Sequence, residues 1–528
     1  PKEFFPKLKR LRDQTPTISS LDQKDYFFDG SIGVYQKDAK GSGNAAAPLN
    51  CDPADLVACS AATVSGVLGD NIDPIKGDKV HLYLSLRRGG NFIYALNVLN
   101  PAAPKLLWRK GNGDAGWDQV GQTWSEPKLS RVQASLGNAD NPDNVVLIFG
   151  AGYDNALEDI NPCLLSQWSE TSVVQKAIGS GSVSFTAAGS CVISNATGGT
   201  KTFNRTAGRA LMVVDAFNGN VVWLAGAGVT TSSTGLGNGV LRNLKVAGMT
   251  CAVPSDVTVL DRDRDGVADR LYAGDTCGNV WRADISDPNM DNWKVTQIAA
   301  LSGSGATTIT NKIKFLFPPD LVFGTDGAGS YTAVLLGSGD REHPFDTTVQ
   351  NAFYMIKDRN ESTLIGAPNN TTVSIGAPTP PPPPPLPALP SVPTTQSVMF
   401  DATNVVVAAT DATTTASSQQ GWFVSLAAGE KVVGSAVTLA GITFFNTNQP
   451  SSTAGGGACG SNLGLALEYQ VGFADAAAPP DQQGNARPIS YRSTVHEGGG
   501  YLPSPVPVVV EIDGKKYQAV ISGTSVQT

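Results

Sequence analysis

From residue 79 onward the chain repeats one phrase: a short apolar, β-branched or aromatic run, then Gly, Asn or Asp, then another run. Lys79-Val80-His81-Leu82-Tyr83-Leu84-Ser85-Leu86, Phe92-Ile93-Tyr94-Ala95-Leu96-Asn97-Val98 and Val145-Val146-Leu147-Ile148-Phe149-Gly150 have the length and composition of strands. Stretches with apolar residues at every third or fourth position are scarce, so the pattern predicts sheet almost throughout. A slower period lies on top. Ala210 to Asp215, Asn279 to Asp284, Ala352 to Asp358 and Gly421 to Leu426 resemble one another, and their centres step by 68, 73 and 68 residues. A unit of that size has room for about four strands and a decorated loop. Such a sheet alone would leave its apolar faces in water, so the units must stack around an axis. The expected architecture is an all-β propeller, and an irregular β-sandwich with fortuitous spacing is the competing reading.

Two of the units add a hairpin cue. Asp215-Ala216-Phe217-Asn218-Gly219-Asn220-Val221-Val222-Trp223 reads as strand, Asn-Gly turn and strand ending in Trp, with Asn97 to Trp108 as a looser version. Asn-Gly is expected to supply the positive φ angles of a tight hairpin, and the Trp to fill the space between neighbouring blades. Residues 1–28 differ: Phe4, Phe5, Leu8 and Leu11 fall at near-helical spacing beside a basic run from Lys7 to Arg12. They predict a short helical lead-in to a propeller over 29–528. Residues at about 155–205, rich in Ser, Thr, Ala and Gly, read as an insertion between strands. Residues at about 377–400, with Pro380 to Pro385, read as a polyproline spacer within one blade.

Composition narrows the function. The 528 residues carry 38 Lys and Arg against 46 Asp and Glu, a net charge of −8, which disfavours nucleic acid as a partner. Seven cysteines without a CxxC pair, and only His81, His343 and His496, leave little material for zinc. No apolar run approaches the ~18 residues of a transmembrane helix, and the first residues lack the apolar core of a signal peptide. Cysteine spacing suggests local disulfides Cys51–Cys59, Cys163–Cys191 and Cys251–Cys277, with Cys459 left over. Bridges of that kind fit an exported chain in an oxidising compartment.

The sharpest chemical signal is Asp261-Arg262-Asp263-Arg264-Asp265-Gly266-Val267-Ala268-Asp269, set between the strand-like runs Val257 to Leu260 and Arg270 to Ala273. Carboxylates at 261, 263 and 265 are able to fold around one point once Gly266 permits a sharp turn, as in the first half of an EF-hand loop. Oxygen donors in that density suit Ca²⁺. Position 12 of the loop is Tyr272 rather than Glu, so Asp269 is expected to supply the closing carboxylate and the Val267 carbonyl a fifth protein ligand. Arg262 and Arg264 are expected to point outward and soften the repulsion among the acids. Without a cation the same residues would be a solvated acidic turn.

Two weaker motifs read as structural. Gly337-Ser338-Gly339-Asp340-Arg341-Glu342-His343-Pro344 would make His343 a base oriented by Asp340 or Glu342. No G-x-S-x-G nucleophile motif accompanies it, so a polar loop with Asp340 and Arg341 paired is expected. Gly111-Asn112-Gly113-Asp114-Ala115-Gly116 matches G-x-G-x-x-G, but no helix is signalled after it, so a glycine-rich turn is expected.

At these residues the chain resembles the C-terminal domain of the PilY family of type IV pilus tip-associated adhesins and biogenesis factors. The resemblance is carried by Tyr26 to Ser31, Gly90 to Trp108, Thr123-Trp124-Ser125-Glu126-Pro127, the acidic loop with Gly274 to Arg282, Gly337 to Pro344, Gly421-Trp422-Phe423, and Gly429-Glu430-Lys431-Val432. It implies a modified, seven-bladed β-propeller outside the cytoplasm, at the pilus tip or outer membrane. It implies one Ca²⁺ on Asp261, Asp263, Asp265, Val267 and Asp269, whose occupancy biases pilus extension against retraction and so governs twitching motility and attachment. The partners implied are the minor pilins of the tip complex and a host or surface receptor. The N-terminal von Willebrand A-like region of such proteins is not in this chain, and there is no Arg-Gly-Asp tripeptide. Two rivals stand beside this non-enzymatic reading. One is a quinone-dependent dehydrogenase of the PQQ type, which needs adjacent cysteines that this chain lacks. The other is a structural propeller whose Ca²⁺ serves stability alone.

Overall fold

The computed structural model describes residues 8, 27–37, 79–154, 182–185, 191–194, 200–203, 207–229, 232–236, 239–302, 313–359, 373–374, 399–405, 419–450, 463–481, 483–512, 515–522 and 525–527. The first sheet is an antiparallel meander of β1 (Ile32–Lys37), β2 (Lys79–Ser85), β3 (Phe92–Asn97) and β4 (Lys105–Gly111). The second begins with β5 (Lys128–Arg131) and β6 (Val145–Gly150); β7 (Ser182–Phe185), β8 (Cys191–Ser194) and β9 (Thr200–Phe203) then form a separate small sheet. β10 (Ala210–Asp215) and β11 (Val221–Gly226) return to the second sheet, which ends with β12 (Ser232–Leu236) and β13 (Gly239–Lys245).

The third sheet is the meander β14 (Thr258–Leu260), β15 (Arg270–Gly274), β16 (Asn279–Asp284) and β17 (Lys294–Ala300). The fourth contains β18 (Asp320–Asp326), β19 (Gly329–Gly337) and β20 (Ala352–Asp358); β21 (Val373–Ser374) pairs back onto β17, and β22 (Phe400–Asp401) and β23 (Gly421–Ser425) complete the fourth. The fifth comprises β24 (Lys431–Val432), β25 (Val437–Leu439), β26 (Ile442–Gln449), β27 (Leu465–Gly472) and β28 (Ser493–His496). A last three-stranded sheet holds β29 (Val506–Ile512), β30 (Lys515–Ser522) and β31 (Ser525–Gln527).

These sheets stack in chain order because both faces of their middle strands are apolar. In β6, Val145, Leu147 and Phe149 pack against the first sheet, and Val146 and Ile148 against the third. β10 divides the same way, with Met212 and Val214 on one side and Leu211 and Val213 on the other. In the fourth sheet Val334 and Leu336 meet the third, while Tyr331, Ala333 and Leu335 join the cluster shared with the fifth. A strand buried on both faces reads as a continuous apolar run rather than an alternation, which is why the Val145 and Ala210 runs stand out in sequence. Tryptophans sit between sheets as expected: Trp108 donates Nε1–H to Ala216 O at 3.0 Å, Trp422 to Phe473 O at 2.9 Å, and Trp223 meets Trp293 edge-on at 5.5 Å.

Successive sheets are also tied at one end through backbone bonds, Gly152 N to Val253 O, Thr276 N to Ala252 O, Phe315 N to Asp275 O, Gly339 N to Lys314 O and Val432 N to Ser338 O. Arg88, beside the first sheet, pairs with Glu342, beside the fourth. Those sheets are not stacked on each other, so this pair crosses the interior of the array. The fold is an all-β propeller. Five sheets stack among the described residues, two fewer than the seven the resemblance implies. No helix among the described residues is long and apolar enough to cross a membrane.

Three expectations need correction or placing. The first three repeats fall on the third strand of their sheets, β10, β16 and β20, but the fourth, Gly421 to Leu426, covers β23, the neighbour of β20 in the same sheet. Its step of 68 therefore does not lead from one blade to the next; residues 359–420 separate two strands of one blade. In the Asn-Gly turn only Gly219 has a positive φ, 73°. Asn218 instead accepts the Asn220 N–H at 2.8 Å on its side chain, and the turn spans five residues. Apart from Leu8, which is helical, and Phe27 and Phe28, the N-terminal lead-in lies outside the described residues, as do Cys51, Cys59, Cys163, Cys459 and Pro378 to Pro393.

Candidate metal centre

The acidic loop is the connection of a short hairpin. β14 and β15 pair Thr258 with Tyr272, Val259 with Leu271 and Leu260 with Arg270, so residues 261–269 must reverse the chain between two fixed strand ends. Asp269 N donates to Leu260 O at 2.9 Å and closes the base. The turn needs left-handed backbone at two places, Arg264 with φ 63° and Gly266 with φ 86°. The loop is also held from outside: Ala268, fully buried, donates its N–H to Arg131 O at 2.8 Å, and Ile285 N donates to Asp269 O at 2.8 Å.

Within this frame each carboxylate braces the loop with one oxygen. Asp261 Oδ2 accepts Gly266 N–H at 2.8 Å, Asp263 Oδ1 accepts Asp265 N–H at 3.1 Å, and Asp265 Oδ1 accepts Val267 N–H at 2.8 Å. The three side chains thereby converge, each offering an oxygen within 4.8 Å of the others. Asp261 Oδ1 is buried and has no hydrogen-bond partner. A buried carboxylate oxygen without a donor is costly unless a cation meets it, so the donor set fits a hard divalent ion.

Asp269 stands apart from this convergence. It is 7% exposed, and its Oδ2 accepts Arg262 N–H at 2.7 Å. Burial raises its pKa, the Arg262 N–H opposes that rise, and the charges of Asp263 and Asp265 add to it. The aspartates at 263 and 265 are therefore close enough to feel its charge. Arg264 is exposed, as expected, whereas Arg262 is half-buried. Cys251 and Cys277 form a disulfide, Cα to Cα 5.9 Å, linking the segment before β14 to the turn after β15.

A buried charge network beneath the loop was not singled out in the sequence. Arg270, the residue after Asp269, pairs with Asp284 at 3.0 Å; Arg282 pairs with Asp284 at 2.9 Å and with Asp358 of the fourth sheet at 2.8 Å; Tyr272 OH donates to Asp358 Oδ2 at 2.8 Å. Burial alone would lower the Arg282 pKa, but Asp358 and Asp284 override it and raise it. The available signal was charge inside apolar strands, as in Val280-Trp281-Arg282-Ala283-Asp284.

The second motif has different partners from those expected. Asp340 pairs with Lys314 at 2.8 Å and with His343 Nδ1 at 2.8 Å, not with Arg341. The glycine-rich run is a turn: Gly111 N donates to Asp114 Oδ2 at 2.9 Å and Trp117 N to Asp114 O at 2.9 Å, with no helix after it.

Fold and loop together define a β-propeller with an acidic hairpin loop able to hold a metal ion. No family model matches the chain, and no curated protein matches it. Among solved structures it is similar to the Pseudomonas aeruginosa PilY1 C-terminal domain, 16% identical over 85% of this chain and 81% of that one, TM-score 0.49. It is also similar to the quinohemoprotein alcohol dehydrogenase of Comamonas testosteroni, 10% identical over 85% of this chain and 62% of that one, TM-score 0.30. A likeness of this depth does not extend to a ligand or an activity.

Proposed function

We propose that this chain is a non-enzymatic, calcium-binding β-propeller that serves type IV pilus biogenesis and adhesion at the pilus tip, outside the cell. The observation that carries the calcium reading is the loop geometry: three carboxylates converge while Asp261 Oδ1 is buried without a partner. The pilus reading rests on the ordered motifs from Tyr26 to Val432 set out above. Asp261, Asp263, Asp265, the Val267 carbonyl and Asp269 would hold the ion, with water completing the six to eight oxygens that Ca²⁺ takes. The ion would supply charge neutralisation, joining side chains that otherwise repel. The chain's own part is to fix the loop: Gly266 turns it, the three Asx-type bonds aim the carboxylates, Ala268 ties its return to the second sheet and Asp269 ties it to the third. A tip partner that contacts only the ordered loop would then respond to calcium.

Calorimetric titration of the full chain tests the site. Asp261→Asn is expected to weaken Ca²⁺ by roughly tenfold or more, and Asp269→Asn to weaken it as well; unchanged binding in both removes the proposal. In cells, Asp261→Ala in the full-length protein is expected to change surface pili and twitching. Lost calcium binding with normal motility would leave the purely stabilising role. The dehydrogenase alternative predicts a new visible absorption band when the quinone cofactor and Ca²⁺ are added.

A further inference from the structure

The turn between β2 and β3 carries two consecutive arginines at the interior of the array. Arg87 is held at φ 47°, a left-handed conformation that costs a residue with a long side chain. It is clamped there: Arg87 N donates to Thr123 O at 3.1 Å and Leu86 N to Thr123 Oγ1 at 2.8 Å. Both guanidiniums lie over the Trp124 ring, Arg87 at 5.2 Å and Arg88 at 5.7 Å, and Trp124 is stacked on Tyr153 at 4.8 Å. A third guanidinium arrives from beyond the fourth sheet, where Arg341 lies 5.2 Å from the Tyr501 ring and 5.9 Å from Phe317.

The acids nearby are engaged elsewhere. Glu342 pairs with Arg88, Asp340 with Lys314 and His343, and Glu126 with Lys128. Asp256 accepts the Glu126 N–H at 2.6 Å. Among the described residues, no ion pair joins Arg87 or Arg341 to a carboxylate, and Arg87 Nε is buried without an acceptor. The two charges feel each other: burial, then Arg87, pushes the Arg341 pKa down. Two half-buried cations placed together, with the acids around them paired to other groups, are an unfinished electrostatic arrangement.

We propose that Arg87 and Arg341 form a binding site for the carboxylate of an acidic sugar, a uronate, in the interior mouth of the propeller. A guanidinium is a planar fork matched to a carboxylate. The surrounding Glu342, Asp340, Glu126 and Asp256 favour a monoanion over a more highly charged phosphate. Tyr501 is 41% exposed and offers ring surface to the apolar face of a pyranose. The site is separate from the acidic loop and does not depend on calcium.

The test titrates the calcium-loaded full chain with glucuronate and an oligogalacturonate, with glucose, inorganic phosphate and poly-glutamate alongside. Uronate binding weakened by salt, with roughly tenfold loss in Arg341→Gln and in Arg87→Gln, is expected. Arg341→Lys, which keeps the charge but not the fork, is expected to lose part of the affinity, and Asp261→Asn none of it. Should an arginine variant fold poorly, the wild-type comparison decides: uronate must bind and raise the melting temperature, and glucose must do neither. No uronate binding at low salt, equal affinity for glucose, or unchanged affinity in Arg341→Gln overturns the site. Preference for poly-glutamate or phosphate overturns the sugar assignment.

Discussion

Asp261, Asp263 and Asp265 each fix a backbone N–H of the loop with one oxygen, and each offers an oxygen within 4.8 Å of the others. The alternating spacing made that much legible in sequence, because residues two apart in a tight turn are able to point to one centre. The withdrawal of Asp269 was not legible, since it depends on the Arg262 N–H and on the bond that ties its neighbour Ala268 to the second sheet. Gly266 tests how far backbone geometry sets affinity. A Cβ there would meet no heavy atom within 4 Å, so Gly266→Ala costs only the left-handed strain at φ 86°, about 1 kcal/mol. The expected outcome is a several-fold weaker Ca²⁺ affinity by calorimetry with little change in melting temperature. His81 carries a different residue-scale prediction. It is 4% exposed, packs among Tyr35, Tyr83 and Phe217, and has its pKa lowered to about 4 by burial and by Lys79. The fold disfavours its charged form, so its contribution is complete above the ordinary pKa near 6.5 and is lost as pH falls from there towards 4. Melting temperature is expected to fall across that window by the equivalent of about 1 kcal/mol, and His81→Phe to flatten the slope. An identical slope in the variant would exclude His81 as the source.

At the scale of elements, the hairpin β14–β15 has only three paired positions, too few to hold a nine-residue loop alone. The Cys251–Cys277 bridge, with a sequence separation of 26, and the buried pairs under β15 compensate. Replacing both cysteines by Ala is expected to cost about 3 kcal/mol in denaturant unfolding, from the freed chain entropy of the unfolded state. Asp358→Asn removes the charge that Arg282 and Tyr272 share across the third and fourth sheets, and is expected to destabilise by about 3 kcal/mol, since it leaves a buried guanidinium undercompensated. Strand content was legible because strands buried on both faces are runs of apolar residues. Strand position was not. β20 and β23 are both apolar runs rich in aromatic residues and sit side by side, so periodicity counted them as two blades. What separates neighbouring strands from neighbouring sheets is the connection, and a long proline-rich connection defeats a fixed period.

For the whole molecule, the stack and the loop are energetically distinct. The large clusters between sheets are built from β6, β10, β16, β19, β20 and β26, whereas of the loop residues only Ala268 enters one. Asp263 and Asp265 lie at the surface, and the loop backbone is already closed by its own side chains. Calcium is therefore expected to tighten a preformed hairpin rather than to fold the propeller. Adding it at about a hundredfold excess over its dissociation constant should stabilise the native state by about 2.7 kcal/mol through mass action. Chelation should leave the far-ultraviolet circular dichroism unchanged. Amide exchange should quicken after chelation at residues 262–268, while the central strands of the second, third and fourth sheets keep their protection. Loss of strand signal or of protection throughout the second and fourth sheets on chelation would show instead that the ion holds the blades together, acting through the Ala268–Arg131 bond to the second sheet and through the third sheet's packing.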